Sequence, residues 1–290
     1  MPAKVYLRSF DLASDSREMK FILDQKMTCF NGIYPFKIFP DKGLRSLEFE
    51  PITIFYGGNG SGKTTLLNVI AEKTRIARHS AFSGSAFFSD YVSMCKMDAA
   101  RIPNDSQILT SDDVSDYLLD MRHLNDGIDS RREELMEDYT DRKYKELRFT
   151  SLEDYDNWKE GYDAKRLSKS RFVKERLMRN VDMFSNGETA MKYYTDRIRD
   201  NALYLIDEPE NSLSAKFQLD LMEYISIAAR YDGCQFIIST HSPFLLALPQ
   251  AKIYDLDERP VAVKRWTELE NVRTYYDFFL KHQKAFEEEA

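Results

Sequence analysis

The consecutive residues Gly57, Gly58, Asn59, Gly60, Ser61, Gly62, Lys63, Thr64 and Thr65 carry the densest chemistry in the chain. They fit G-x-x-x-x-G-K-[ST], in which glycines let successive backbone N–H groups turn inward on phosphate oxygens. Lys63 then serves as a point charge for the β- and γ-phosphates. Thr64 offers its hydroxyl to Mg2+, an ion that prefers oxygen ligands. A second pair, Asp207-Glu208, ends an apolar run and is stopped by Pro209. Two adjacent carboxylates there are costly without a cation or a proton to handle. Asp207 therefore reads as a Mg2+ ligand and Glu208 as the group that polarises an attacking water. His241 ends another apolar run, where a neutral imidazole can hydrogen-bond a γ-phosphate or the water.

These groups need elements to position them. Ile52–Tyr56, Ala202–Ile206 and Gln235–Thr240 are continuous apolar runs, the pattern of parallel strands buried on both faces. Leu66, Leu67, Ile70 and Ala71 after Lys63 are spaced for one helix face. In an open parallel sheet, ligands bind beyond the carboxyl ends of the strands. The glycine loop, the acid pair and the histidine each follow such an end. Ser185-x-x-Glu188 has the spacing of a capping box and heads a helix through roughly Ile198.

The rest of the chain is plainer. Lys4–Leu7 and Leu47–Glu50 read as strands, and Asn31-Gly32 and Asp41-Lys42-Gly43 as turns. Tyr34, Phe36 and Phe39 are either core aromatics or rings for an adenine to stack on. Ser106–Thr110 reads as a short strand, Asp113–Leu119 as a helix with an acidic first turn, and Ser214–Arg230 as an amphipathic helix showing Leu219, Met222, Tyr224 and Ile225 to the core. Short strands at Lys252–Leu256 and Val261–Val263 precede a charged helix with Tyr275, Tyr276, Phe278, Phe279 and Leu280, and Glu287–Ala290 reads as frayed.

Composition sets bounds. The chain has 290 residues, 43% hydrophobic and 31% charged, with a net charge of −7, so no whole-protein attraction to nucleic acid or anionic membrane is expected. Cys29, Cys95 and Cys234 lack metal-like spacing and read as free thiols in a reducing compartment. No apolar run is long enough to span a bilayer, which points to the cytoplasm. Residues 121–183 are rich in charge of both signs and read as two or three solvated helices inserted into a single domain over 1–290. Within them Lys165, Arg166, Lys169, Arg171, Lys174, Arg176 and Arg179 form a basic run with Glu175 as its one acid, either a solvated face or a contact for DNA or RNA.

Taken together, these motifs resemble the ATP-binding-cassette (ABC) superfamily of ATPases. Gly57–Thr64 looks like its Walker A motif and Leu203–Glu208 like its Walker B. Phe184–Glu188 looks like the signature usually written LSGGQ, Glu210–Ser214 stands at the D-loop position, and His241 at that of the switch histidine. The D-E-P-E-x-x-L-S and S-T-H-S-P-F-L-L runs are similar to stand-alone bacterial ATPases related to the chromosome-maintenance and recombination-repair group. The resemblance implies an α/β P-loop core of ABC-ATPase type, with an N-terminal antiparallel β portion and the helical insertion. It also implies a homodimer closing head to tail on ATP and Mg2+, with Ser185, Asn186, Gly187 and Glu188 of one copy over the phosphates held by the other. Opening after hydrolysis would regulate a partner protein or nuclease. A DNA-repair or DNA-end-binding ATPase is the alternative, and a transporter subunit the third reading. Departures from the pattern are Asn186 for the second signature glycine and Ser214 for the D-loop Asp. For the glutamine that completes the metal site the chain offers Gln107, with Ser111 or Asp112 as alternatives.

Overall fold

The computed structural model describes residues 4–25, 32–146, 155–178 and 185–287. Cys29, Asn31, Arg179, Met183, Phe184 and the stretch after Glu287 lie outside them. The chain forms two compact units, Met1–Ser115 with Asn186–Ala290, and Asp116–Ser185.

The first unit holds two sheets. β1 (Leu7–Asp11), β2 (Ser46–Glu48) and β4 (Lys96–Ala99) form an antiparallel sheet in the order β2-β1-β4. The second sheet is built from β3 (Ile52–Tyr56), β5 (Gln107–Thr110), β6 (Leu203–Asp207), β7 (Gln235–Ser239), β8 (Lys252–Asp255) and β9 (Ala262–Lys264). Its order is β5-β6-β7-β3-β8-β9, parallel throughout except for the antiparallel edge pair β8–β9. Register brings the carboxyl ends level: Asp207 pairs with both Thr110 and Ser239, Phe55 with Ser239, and Tyr56 with Asp255.

β3, β6 and β7 are buried along their whole length, which is why they are apolar runs rather than alternating ones. α2 (Lys63–Thr74), following β3, buries nine of its twelve residues, among them Leu66, Leu67, Val69 and Ile70. These share one core with Leu7, Phe10 and Leu47 of the antiparallel sheet. Each such side chain fully withdrawn from water contributes roughly 1.5–3 kcal/mol before the entropy cost. α1 (Asp15–Asp24) and α3 (Phe88–Met94) complete the N-terminal part. α7 (Asn186–Arg197), α8 (Ala215–Tyr231), α9 (Pro243–Leu246), α10 (Glu270–Lys281) and α11 (Gln283–Glu287) follow the second unit.

The second unit takes α4 (Ser111–Tyr144) from residue 116 onward, then α5 (Tyr155–Arg166) and α6 (Lys169–Arg176). Leu135, Tyr139, Ala164, Leu167, Phe172 and Val173 form its own small core.

Several local expectations shift. β1 starts at Leu7 rather than at Lys4, and the N–H groups of Tyr6 and Leu7 are both taken by a buried side chain, Gln235 Oε1, at 2.8 and 2.9 Å. The helix expected over Asp113–Leu119 is one 34-residue element that continues past residue 121. α8 turns Leu221, Ile225, Ala228 and Ala229 inward while Leu219 is exposed. Phe36 and Phe39 are core residues, Phe36 stacked on Phe21. Tyr34 is half-buried and donates from its hydroxyl to Thr65 Oγ1 at 3.0 Å. Cys95 and Cys234 are free and buried, and burial raises both thiols, Cys95 to about 12.

Candidate active site

The glycine loop joins β3 to α2. Gly62 sits at the α2 N-cap with φ 95°, a left-handed conformation in which a Cβ is strained, and a Cβ there would also meet Ile38 Cγ2 at 3.3 Å. The unpaired N–H groups and positive end of α2 therefore open onto the loop. Lys63 curls back into it. Its Nζ donates to Gly57 O at 2.7 Å and Gly58 O at 3.1 Å, and lies 3.2 Å from Glu208 Oε1. The lysine side chain is only 3% exposed and the glutamate 23%, so the pair is little screened by water.

The acid pair is held from β7. Ser239 Oγ donates to Asp207 Oδ1, and Thr64 Oγ1 donates to the same oxygen at 3.2 Å. Glu208 has φ 44° and ψ 55°, a left-handed conformation that costs a non-glycine residue on the order of 1–3 kcal/mol. Its N–H donates to Ser239 O at 3.0 Å and reaches Ser239 Oγ at 3.2 Å. Asn211 Nδ2 donates to its Oε2 at 3.2 Å. The strained turn thus directs one carboxylate at Lys63 and the other at Thr64.

Burial raises the Asp207 carboxyl above the ordinary carboxylate range, and the Glu208 charge adds to this. The hydrogen bonds from Ser239 and Thr64 and the charge of Lys63 oppose it. A carboxyl raised in the folded state is ionised at a cost above its folded pKa, and that cost vanishes below its unfolded value. Asp207→Asn should therefore raise the Tm of the nucleotide-free protein at neutral pH. The gain should shrink as the pH falls toward the ordinary carboxylate range, and the Tm rise on adding Mg2+ and ATP should disappear. Differential scanning calorimetry across pH checks both; an unchanged or lower neutral-pH Tm without nucleotide refutes the burial argument.

His241 follows β7. Its backbone N–H donates to Glu210 Oε1 at 2.7 Å and its Nδ1 lies 3.1 Å from the same oxygen. Its carbonyl accepts from Asn271 Nδ2 at 2.8 Å. Glu210 is nearly buried and the histidine ring 42% exposed, so the ring is anchored on one side and open on the other.

Gln107 does not join these groups. It opens β5 opposite Tyr204, at the amino end of the sheet, and its Nε2 donates to Arg197 O at 2.9 Å. The carboxyl end of β5 leads instead to Ser111 and Asp112, which begin α4. Of the signature residues, Asn186 opens α7 and Glu188 stands in its first turn. Ser185, Asn186 and Glu188 are exposed. Gly187 meets the Phe217 ring so closely that an added Cβ would lie 2.6 Å from it, which gives the glycine a packing role within the chain.

Two residues near the loop escaped the motif pattern. Asp257 Oδ2 accepts the Gly58 N–H at 2.7 Å, and Tyr34 braces Thr65. Asp257 lies just beyond the carboxyl end of β8, so the carboxyl-end rule applied to that strand points to it.

The residues fit a magnesium–nucleotide group. The Ser61 hydroxyl is buried and without a hydrogen-bond partner inside the loop. Thr64 and Asp207 present adjacent oxygens, and among the described residues the buried ammonium of Lys63 is matched by one carboxylate within 4 Å. Among the described residues no cluster of three His, Cys, Asp or Glu side chains is shaped for a metal. Mg2+ commonly takes only one or two protein ligands beside phosphate oxygens and water.

Strand, glycine loop and buried helix, with an acid pair ending a parallel strand of the same sheet, place the chain in the P-loop ATPase class. Residues 77–247 match the family described as "AAA domain, putative AbiEii toxin, Type IV TA system", and the chain belongs to that family. The matched segment includes Asp207, Glu208 and His241 and leaves out the glycine loop, which stands on its own motif. No curated protein matches the chain. Among solved structures it is similar to an Smc head domain with an extended coiled coil from Pyrococcus furiosus, bound to the C-terminal domain of ScpA. There the identity is 14%, over 98% of this chain and 99% of that one, with a TM-score of 0.42. An SMC head domain from Thermotoga maritima is 12% identical over 90% and 99%, with a TM-score of 0.40. A nucleotide-free ATP-binding cassette from an ABC transporter is 15% identical over 93% and 94%, with a TM-score of 0.42. Among the described residues no helix is long and apolar enough to cross a membrane.

Proposed function

We propose that the chain binds ATP with Mg2+ on the Gly57–Thr65 loop and hydrolyses it to ADP and phosphate. The observation that carries this reading is the ion pair between the buried Lys63 of the glycine loop and the half-buried Glu208 that follows β6. Lys63 Nζ exchanges Glu208 for oxygens of the β- and γ-phosphates. The released carboxylate then orients a water whose oxygen bonds to the γ-phosphorus as the bond to the bridging oxygen breaks. The water's proton passes toward Glu208 and leaves with the products. Thr64 and Asp207 hold Mg2+, which supplies charge neutralisation on the phosphates. His241, set by Glu210 and Asn271, hydrogen-bonds the γ-phosphate or the water.

The whole of residues 1–290 acts as one such domain, with 121–183 a helical insertion. A second copy closes over the nucleotide through Ser185, Asn186, Gly187 and Glu188, and hydrolysis reopens the pair. A separate effector protein reads the closed state, a reading the family's toxin–antitoxin description supports. Light scattering tests the dimer. With ATP and Mg2+, Glu208→Gln should double in mass, Ser185→Arg added to it should stay monomeric while still binding ATP, and Lys63→Ala should stay monomeric without binding. A monomer at saturating ATP in the Glu208→Gln protein removes the dimer from the proposal and leaves the nucleotide site standing. Affinity capture with Glu208→Gln against Lys63→Ala then identifies the effector.

A further inference from the structure

Helix α5 carries a surface that the ATPase reading does not use. Tyr155, Trp158, Lys159, Tyr162, Lys165 and Arg166 recur at the spacing of one helix face. In an ordinary amphipathic helix such a stripe is the buried one. Here it is largely solvent-facing: Tyr155 is 48% and Tyr162 46% exposed, Lys159, Lys165 and Arg166 are exposed, and Trp158 is half-buried. Among the helix residues whose burial is described, those turned inward are Gly161 and Ala164. Two of the three acids of the helix are held by arginines of neighbouring helices. Glu160 pairs with Arg142 at 2.7 Å and Asp163 with Arg176 at 2.8 Å. Asp156 lies in the first turn, where the helix dipole favours an acid. Arg166 reaches Asp163 only at 3.8 Å.

The aromatic rings are organised. Trp158 and Tyr162 stack with centroids 5.5 Å apart and planes 15° from parallel. The basic character continues into α6, whose Lys169, Arg171 and Lys174 are exposed, with Arg171 paired to Glu175 at 2.9 Å. Phe172 and Val173 of α6 pack into the unit's own core with Leu135 and Tyr139, so the surface rests on a built support.

We propose that this face of α5 binds single-stranded nucleic acid. Unpaired bases stack on the Trp158–Tyr162 pair and on Tyr155, and the backbone phosphates follow Lys159, Lys165, Arg166 and Lys169. Flat exposed aromatics interleaved with cations are the chemistry by which single strands are held, since every unpaired base offers a π-face. A duplex keeps its bases stacked on one another and offers the rings nothing. The charge argument is local: the chain as a whole is −7, yet this stripe itself carries three cations and three rings, with Asp156 and Asp163 at its border and Asp163 held by Arg176 at 2.8 Å. The surface is independent of the phosphate loop, so the proposal stands or falls apart from ATP hydrolysis.

The test uses the full chain without nucleotide, in a Trp266→Phe background that leaves Trp158 as the one tryptophan of the two in the sequence. Fluorescence anisotropy is read with labelled oligothymidylate, oligouridylate and a duplex of the same length. Both single strands should bind more tightly than the duplex, and binding should quench Trp158 emission. The DNA and RNA arms tell which strand is preferred. Trp158→Ala with Tyr162→Ala should weaken single-strand binding about ten- to a hundred-fold. Lys159→Gln with Lys165→Gln and Arg166→Gln, on exposed positions that leave the core untouched, should lower affinity. It should also reduce the slope of log affinity against log salt by about 0.7 for each phosphate no longer neutralised. Circular dichroism melts of both variants check that the fold is kept. No single-strand binding at about 50 mM salt, a preference for the duplex, unquenched Trp158, or unchanged affinity in both variants would overturn the proposal. So would loss of self-association in the aromatic variant with strand binding unaltered, which would assign the face to a second copy of the chain.

Discussion

Glu208→Gln should abolish ATP turnover, by about a hundred- to ten-thousand-fold, while tightening ATP binding. The first half follows from the role proposed for Glu208, that of taking up the water's proton. The second follows from the geometry of Lys63. Its Nζ lies 3.2 Å from Glu208 Oε1 in a nearly buried setting, so a triphosphate must displace that carboxylate before the lysine can serve it. Gln keeps the size and the hydrogen bond from Asn211 but removes the competing charge. ATP should therefore bind several-fold more tightly. Phosphate release measures turnover, and fluorescent-nucleotide titration measures affinity. Lys63→Ala is the control, losing both. Turnover above one tenth of wild type in Glu208→Gln would remove Glu208 from the role of base, and weaker ATP binding would show that the ion pair supports the loop rather than competing with the nucleotide.

What could be read from the chain in advance depended on how local the physics is. The glycine loop is a contiguous motif whose backbone conformation is set by its own glycines, and β3, β6 and β7 announce themselves because burial on both faces demands unbroken apolar runs. That placed Lys63, Thr64, Asp207 and Glu208 correctly at one end of one sheet. Gln107 was misplaced for the opposite reason. β5 has four residues with only Ile108 and Leu109 buried, too short a run to show which of its ends faces the loop. The 34 residues of α4 mix charges of both signs and hold Gly127 without ending there, so no single period runs through them. Asp257 on Gly58, Asn271 on His241 and Tyr34 on Thr65 are contacts across 199, 30 and 31 residues. They are fixed by tertiary packing; Asp257 has a local signal in its place beyond the carboxyl end of β8, but no spacing in the chain encodes the pairings. The stripe on α5 has helical spacing, but whether such a stripe is core or surface is decided only by what packs against it.

Gln235 is the extreme case of such a hidden residue, and its replacement should have the largest effect on stability. It opens β7 and is fully buried. Its Oε1 accepts Tyr6 N–H at 2.8 Å and Leu7 N–H at 2.9 Å, while its Nε2 donates to Leu7 O at 2.8 Å and reaches Glu50 O at 3.3 Å. One side chain thus ties the start of β1, in the antiparallel sheet, to the sheet that carries the candidate site, and every hydrogen-bonding position it has is used. Gln235→Leu keeps the volume but strands at least three buried backbone groups, each costing about 1–3 kcal/mol. We expect a loss of roughly 4 kcal/mol, a drop in Tm of about 8–16 °C at 2–4 °C per kcal/mol for a domain of this size. Gln235→Glu separates the two halves of the network. It keeps the acceptor for Tyr6 and Leu7 but sets a carboxylate against the carbonyls of Leu7 and Glu50, so burial and those carbonyls should raise its carboxyl. That variant should be destabilised at neutral pH and recover as the pH falls through the raised value, where its protonated oxygen can donate again. Thermal melts at neutral and mildly acidic pH measure both; a Gln235→Leu protein melting within about 3 °C of wild type would show that water replaces the side chain and that the two sheets are joined by apolar packing alone.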